Sequence, residues 1–224
     1  MSWIFLNKKN SDEYMEMFAR GCGTQPTELE TWQYEQSTDP LVIRGIMKHK
    51  TIKRCWADHR PFLYMDTGYF GNQPSTQNPH GWKQWHRIVP NNLQHEQVQP
   101  RPADRWQRHN IPMPQRRHGT HILVALPDQK PCTFYGIDPD SWQRQVVETI
   151  QQHTDRPIVI RSRDPNRQNR VNNDLGRALR DVHALVTFNS VAAIESVFYG
   201  IPAWTLAPVH AASPVCLQIG RAHV

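Results

Sequence analysis

The apolar positions of the C-terminal half alternate with polar segments in a pattern typical of α/β proteins. Short apolar runs, which predict strands, occur at 121–126, 156–161, 183–188 and 202–207. Apolar residues spaced three or four apart predict helices between them, at 141–153, 174–182 and 190–200. Ser141 and Ser190 are typical helix N-caps, and Gly200 is a typical helix end. This alternation predicts a parallel sheet covered by helices, in which 156–161 is a buried strand.

The N-terminal half has a weaker pattern of the same kind. Strands are predicted at 41–46 and 61–66, and helices at 11–20 and 49–59. Residues 71–119 are rich in Asn, Gln, Pro, Arg and His and show no clear period, so their last part is interpreted as an interdomain connector. We therefore expect a smaller, loop-rich α/β N-terminal domain with connector at 1–118. A Rossmann-type parallel sheet is expected in the C-terminal domain at 119–217.

The composition narrows the classes of partner and compartment. The 224 residues carry a net charge of +6, which suits polyanions or phosphorylated ligands without deciding between them. Four scattered cysteines with no CxxC pair argue against structural zinc and against a secreted disulfide scaffold. The chain begins without the long apolar core of a signal peptide, and no apolar run is long enough to span a membrane. These features indicate a reducing cytoplasm.

The last residues, IGRAHV, would be encoded by DNA that resembles a common short-read sequencing adapter, and the alternative is coincidence. We therefore expect that 218–224 is an artefact of the gene fragment. On this hypothesis the native sequence continues differently after Leu217 and the natural protein is longer.

The turn Asn189-Ser190 is the first candidate for ligand binding. Ligands of open α/β sheets bind outside the carboxyl ends of strands, and this turn follows the strand at 183–188. A helix that begins here offers free backbone N–H groups and the positive end of its dipole to a phosphate. Glu195, in an otherwise apolar helix, has the chemistry to accept hydrogen bonds from ribose hydroxyls. The alternatives are that Ser190 is only an N-cap and that Glu195 lies at the wet edge of the helix.

Two further loops follow predicted strands of this sheet. Arg161 and Arg163 come at the end of IVIRSR, where their planar guanidinium groups suit the oxygens of a phosphate. The segment 127–136 follows the first strand and offers Gln129 and Lys130 as weaker candidates. The alternative for the arginines is a solvated charged surface.

Candidates for a general base lie in the N-terminal half. Asp66 ends a predicted strand before a glycine turn, and His59 precedes the same strand, as does Asp58. Either Asp66 or His59 has the chemistry to accept a proton from a hydroxyl acceptor. Each is also an ordinary turn or cap residue. The histidines show no metal-ligand spacing, so no metal site is predicted.

The segments IVIRSRDP and VTFNSVAAIESVFYGIPAW resemble the donor-binding domain of GT-B-type glycosyltransferases, especially the capsule and lipopolysaccharide sugar transferases. The resemblance covers about 121–208 and extends to nucleotide-sugar epimerases of the same fold. It implies that Ser190 and Arg161 contact the donor's phosphates and that Glu195 contacts the nucleotide ribose. The whole chain also resembles uncharacterised proteins of tailed phages, which implies the cytoplasm of an infected bacterial host.

These observations together predict a GT-B-like, metal-independent glycosyltransferase. Its donor is a nucleotide-sugar, used as a substrate with no further cofactor, and its acceptor is a glycan, a glycolipid or a modified base of DNA. Asp66 or His59 would deprotonate the acceptor hydroxyl. Two alternatives stay open: a nucleotide-sugar epimerase or hydrolase of the same fold, and a non-catalytic phosphate- or nucleic-acid-binding module.

Overall fold

A computed structural model describes residues 3–7, 13–28, 32–46, 49–68, 86–94, 114–162, 175–207 and 217–218, and the single positions 102, 104 and 107. The chain divides into two compact units, Met1–Gln94 and His95–Val224. Each unit is a mixed α/β structure with a largely or wholly parallel sheet, as expected. The predicted boundary after residue 118 stays a prediction, because most of 95–113 lies outside the described residues.

The first unit is built on a five-stranded sheet with the spatial order β2-β1-β3-β4-β5. Strands β1 to β4 pair in parallel, and β5 is antiparallel to β4. Its elements are β1 Ile4–Asn7, α1 Glu13–Gly21, β2 Thr27–Glu28, β3 Leu41–Arg44, α2 His49–Ala57, β4 Phe62–Thr67 and β5 His86–Pro90. The predicted strands and helices are confirmed, whereas β1, β2 and β5 were not predicted. A four-residue apolar run gives too little periodicity to identify a strand.

The two faces of the first sheet can be assigned from its register. Phe5, Val42 and Leu63 are registered neighbours and pack with Met15 of α1, so α1 covers this face. The alternate positions, which include Phe62 and Tyr64, belong to the opposite face. There the ring of Trp56 in α2 lies 6.3 Å from that of Phe62. The sheet is therefore covered on both sides, as in doubly wound folds.

The second unit has a five-stranded sheet in which every pair of neighbours is parallel, with the order β10-β9-β8-β6-β7. Counted along its own unit this is the order 2-1-3-4-5, the same as in the first unit. Its elements are β6 His121–Ala125, α3 Gln129–Tyr135, α4 Pro139–Gln151, β7 Ile158–Arg161, α5 Leu175–Ala178, β8 Val182–Thr187, α6 Ala192–Phe198, β9 Ala203–Thr205 and β10 Leu217–Gln218. This order reverses direction between β6 and β8, which is the switch point where such sheets bind ligands.

One face of the second sheet packs on α4. Ile122, Val124, Ala184 and Val186 line this face and form a buried cluster with Trp142 and Val146 of α4. Leu123 and Leu185, at the alternate positions, are buried on the other face. The predicted apolar spacing of α4 therefore matches its burial.

Three local predictions for the second unit are wrong. Helix α4 begins at Pro139 and is capped by Asp138, whose carboxylate accepts a hydrogen bond from the amide of Ser141 at 2.8 Å, so Ser141 is not the cap. Strand β7 is at the edge of the sheet, so Val159 and Ile160 are exposed rather than buried. The helix predicted at 174–182 is shorter, because its last residues turn into β8.

Helix α4, the longest described, has 13 residues. No helix in the described parts of the chain is both long and apolar enough to cross a membrane.

Candidate functional site

A row of polar side chains follows the carboxyl edge of the second sheet. Arg161 of β7 and Thr187 of β8 both register with Ala125 of β6, and Thr205 of β9 registers with Thr187. Registered neighbours in parallel strands project to the same face, so these polar side chains share one face. Two strand spacings separate Arg161 from Thr187, which is about 10 Å. Arg161 and the turn after β8 therefore lie on the same edge of the sheet, on either side of β6.

The two threonines in this row differ in their hydrogen bonds. The hydroxyl of Thr187 donates to the carbonyl of Ala125 at 3.0 Å and so ties β8 to β6. The hydroxyl of Thr205 is buried, and no hydrogen-bond partner for it is found among the described residues. A buried hydroxyl without a partner costs about 1–3 kcal/mol. The hydroxyl of Thr205 at this edge of the sheet therefore has hydrogen-bonding potential that no described protein group satisfies.

The turn between β8 and α6 differs from its prediction in one respect. Helix α6 starts at Ala192, and the hydroxyl of Ser190 accepts a hydrogen bond from the amide of Ala192 at 3.2 Å. The amides of Ala193 and Ile194 donate to the carbonyls of Ser190 and Val191. The first amides inside the helix are thus already paired. In the described part of the chain, the amides of Ser190 and Val191 donate no hydrogen bond, so they, and not the amides inside the helix, are the unpaired donors of this turn.

The residues predicted to bind the nucleotide-sugar donor, apart from Arg163, lie in or after this turn and at the end of β7. Asn189 and Ser190 are half-buried directly after β8. Glu195 is half-buried on α6, five residues after Ser190 and about 7 Å along the helix axis. Arg161 is half-buried at the end of β7. Arg163 lies outside the described residues, so its predicted role stays a prediction.

The segment after β6 is a helix and not the predicted loop. Gln129 begins α3, and its side-chain amide is 3.4 Å from the hydroxyl of Thr133 one turn later. The helix ends at Gly136, whose φ of 69° is the left-handed conformation typical of a helix end. Gln129 and Lys130 are therefore exposed first-turn residues of a helix.

Asp66 lies at the carboxyl end of β4, as predicted, but it is already engaged. Its carboxylate accepts hydrogen bonds from the hydroxyl of Tyr64 at 2.8 Å and from the amide of Thr67 at 2.8 Å. It also forms an ion pair with Arg87 of β5 at 3.2 Å. A carboxylate has about four acceptor positions, so roughly one remains for a substrate hydroxyl. The side chain is 35% exposed, which leaves it within reach of a ligand.

His59 lies at the other end of β4. The amide of His59 donates to the carbonyl of Trp56 and that of Arg60 donates to Cys55, which is the hydrogen-bond pattern of a Schellman helix end. His59 has a φ of 52° and takes the place that glycine usually fills. About 20 Å of strand separate it from Asp66. The two predicted bases are therefore not brought together, and His59 has a structural role as the end of α2.

A second group at the carboxyl edge of the first sheet was not predicted. Arg44 of β3 lies 3.2 Å from the ring nitrogen Nε2 of His86, and its guanidinium lies 5.2 Å from the ring centre of Tyr14. The rings of Tyr14 and His86 are 4.3 Å apart. The sequence placed Arg44 in a predicted strand. It gave no sign that His86, in a loop-rich segment, would begin an antiparallel strand beside it.

The described residues include no group of three or more His, Cys, Asp or Glu side chains placed to hold a metal ion. Metal independence of the reaction stays a prediction. A scan against models of known protein families finds no match to this chain, and a search of curated proteins finds no significant relative.

Proposed function

We propose that this protein is a nucleotide-sugar-dependent glycosyltransferase whose second unit binds the donor. The observation that carries the proposal is the polar carboxyl edge at the switch point of the second sheet, where Arg161 and the Asn189-Ser190 turn flank β6. A diphosphate fits this edge because a guanidinium and two unused amides are all hydrogen-bond donors. The resemblance to GT-B donor domains adds the nucleotide-sugar to this chemistry.

The proposed reaction displaces a nucleoside diphosphate from the anomeric carbon of the sugar. The bond from that carbon to the diphosphate oxygen breaks, and a bond to the acceptor oxygen forms. Negative charge grows on the leaving diphosphate, and Arg161 with the amides of Ser190 and Val191 would stabilise it. Glu195 would hold the ribose through its hydroxyls. Of the two predicted bases we favour Asp66 over His59 to accept the proton of the acceptor hydroxyl, because the backbone of His59 ends α2.

Product analysis with radiolabelled nucleotide-sugars tests the reaction class. Each donor of a panel is incubated with the protein alone, with a mixed glycan acceptor, and with DNA. A transferase releases nucleoside diphosphate and labels an acceptor only when the acceptor is added. Isomerised sugar without an acceptor would instead identify an epimerase, free sugar would identify a hydrolase, and an unchanged donor throughout would contradict the enzymatic proposal.

A further inference from the structure

A cluster of basic side chains lies at the amino edge of the second sheet, opposite the proposed donor site. We call Arg116, His118, Arg156 and His183 the amino-edge patch. The rings of His118 and His183 are 6.4 Å apart, and Nη1 of Arg156 is 3.4 Å from the carbonyl of Gly119. The segment 116–120 is held here because the amide of Thr120 donates to the carbonyl of Asp181 at 2.7 Å.

The backbone beneath this patch is irregular. His121 of β6 registers with Val182, but the next residue, Ile122, registers with Ala184, so His183 has no opposite residue. Such β-bulges are rare in parallel sheets and redirect a side chain. Gly119 passes so close that a Cβ there would lie 2.1 Å from the carbonyl oxygen of Asp181. The position of His183 is therefore fixed by a specific local structure.

The two arginines of this patch have no ion-pair partner in the described part of the chain. Both Arg116 and Arg156 are exposed. The atom Nδ1 of His183 is buried and, within the same residues, makes no hydrogen bond. Burial, followed by the nearby charges of Arg156, Arg116 and His118, lowers the pKa of His183. An anion on the patch would relieve the repulsion between these positive charges.

We propose that the amino-edge patch binds the phosphodiester backbone of a nucleic acid. The oxygens of a phosphate accept hydrogen bonds from guanidinium and imidazole groups, and successive phosphates of a polymer can pair with separate basic side chains. Arg116, His118 and Arg156 are exposed, so the patch is an open surface that a polymer can follow. The net charge of +6 favours the approach of a polyanion. This site is separate from the donor edge and does not depend on the proposed reaction.

Fluorescence anisotropy with a labelled single-stranded oligonucleotide of mixed sequence tests the proposal on the full chain. The double variant Arg116→Gln, Arg156→Gln should bind about tenfold more weakly at low salt, and its log–log salt slope should fall by about 1.4. The matched control is Arg20→Gln with Arg144→Gln, which removes the same charge from exposed helix positions. Circular dichroism and thermal melting should show both variants folded.

Lower pH should strengthen binding if His183 takes part. A phosphate beside the ring favours the protonated form of His183, so the affinity of the unsubstituted chain should rise as the pH falls from 7.5 to 6.0. In His183→Gln that rise should be smaller by about threefold or more. Other titratable or charged groups lie near the ring of His183. His118, Arg116 and Arg156 face it, and Asp155, Asp181 and His121 are the nearest along the chain. Each variant is therefore compared with the unsubstituted chain at both pH values.

Three results would overturn the proposal. Equal weakening by the patch variant and the control would show only general charge attraction. An unchanged affinity in the patch variant would remove the site. Competition by millimolar inorganic phosphate beyond that of chloride at equal ionic strength would show a site for a free phosphate and not for a polymer.

Discussion

His59 occupies a left-handed backbone conformation that costs a residue with a side chain about 1 kcal/mol relative to glycine. We expect His59→Gly to raise the free energy of unfolding by about this amount, because glycine suits the last position of a Schellman helix end. Urea denaturation measures this change. Donor turnover should be unaffected, and a large loss of turnover in a stabilised protein would restore His59 as a catalytic candidate.

Asp66 is the residue where a structural and a catalytic role coincide. Asp66→Asn should slow donor turnover while leaving nucleoside-diphosphate affinity unchanged, because it removes the proton acceptor but not the donor site. The control is Arg87→Gln, which breaks the same ion pair and keeps the carboxylate. Equal turnover in both variants would show that Asp66 only joins β4 to β5. The comparison is made by following release of nucleoside diphosphate.

Gly200 and Gly136 both follow the end of a helix, but they differ in how closely another backbone segment approaches them. A Cβ on Gly200 would lie 2.0 Å from the carbonyl oxygen of Gln115, whereas nothing lies within 4 Å of one on Gly136. Both have positive φ, so both alanine variants lose about 1 kcal/mol of stability from backbone strain. Gly200→Ala should lose about 2 kcal/mol more from overpacking. Equal losses of stability in urea denaturation would mean that the backbone at Gln115 moves away from the added Cβ at no cost in free energy.

The start of α4 provides a second test at this scale. Hydrogen bonds from Ser141 lower the pKa of Asp138, so this cap stabilises the protein above the ordinary pKa of an aspartate and loses that effect as the pH falls through the lowered value. Asp138→Ala should therefore lower the melting temperature at pH 6 but not near pH 2. Ser141→Ala loses the hydrogen bond of the hydroxyl but keeps that of the backbone amide, so its loss at pH 6 should be smaller than that of Asp138→Ala. A larger loss in Ser141→Ala would reinstate the serine as the cap.

Helices and strands of this chain are readable from sequence where the apolar pattern is long, as in α4 and β8. The degree to which each strand or helix is buried cannot be read from the sequence in the same way. The run at 156–161 is as apolar as a central strand, but the order of strands in the sheet, which no local pattern encodes, leaves Val159 and Ile160 exposed. The start of α6 shows the same limit, because hydrogen bonding within the turn decides which amides remain open.

At the scale of the whole molecule, the chain carries the strand order 2-1-3-4-5 twice. The rule that ligands bind at the carboxyl ends of such strands was enough to place Arg161, Asn189 and Ser190 on one edge from sequence alone. The rule could not find the amino-edge patch. Its residues come from the connector, from the start of β7 and from a bulge, and only the folded sheet brings these together.

Binding of a nucleoside diphosphate should protect the carboxyl edge of the second sheet from hydrogen exchange. With a saturating nucleoside diphosphate, hydrogen exchange should slow in peptides that cover 158–162 and 186–195, because binding removes local opening there. Peptides that cover 116–121 should exchange at an unchanged rate. Protection confined to 116–121 would move the diphosphate to the amino-edge patch.

Calorimetric titration of a panel of nucleoside diphosphates into the unsubstituted chain, Arg161→Ala and Arg156→Ala tests the donor site most directly. Arg161 is the last residue of β7 and Arg156 lies two residues before its start, so each variant is the control for the other. Arg161→Ala should weaken the bound diphosphate by ~1.5–3 kcal/mol, the usual loss for a charged hydrogen bond, whereas Arg156→Ala should leave its affinity unchanged. Unchanged affinity in Arg161→Ala, or equal losses in both variants, would contradict a diphosphate site at the carboxyl edge of the second sheet.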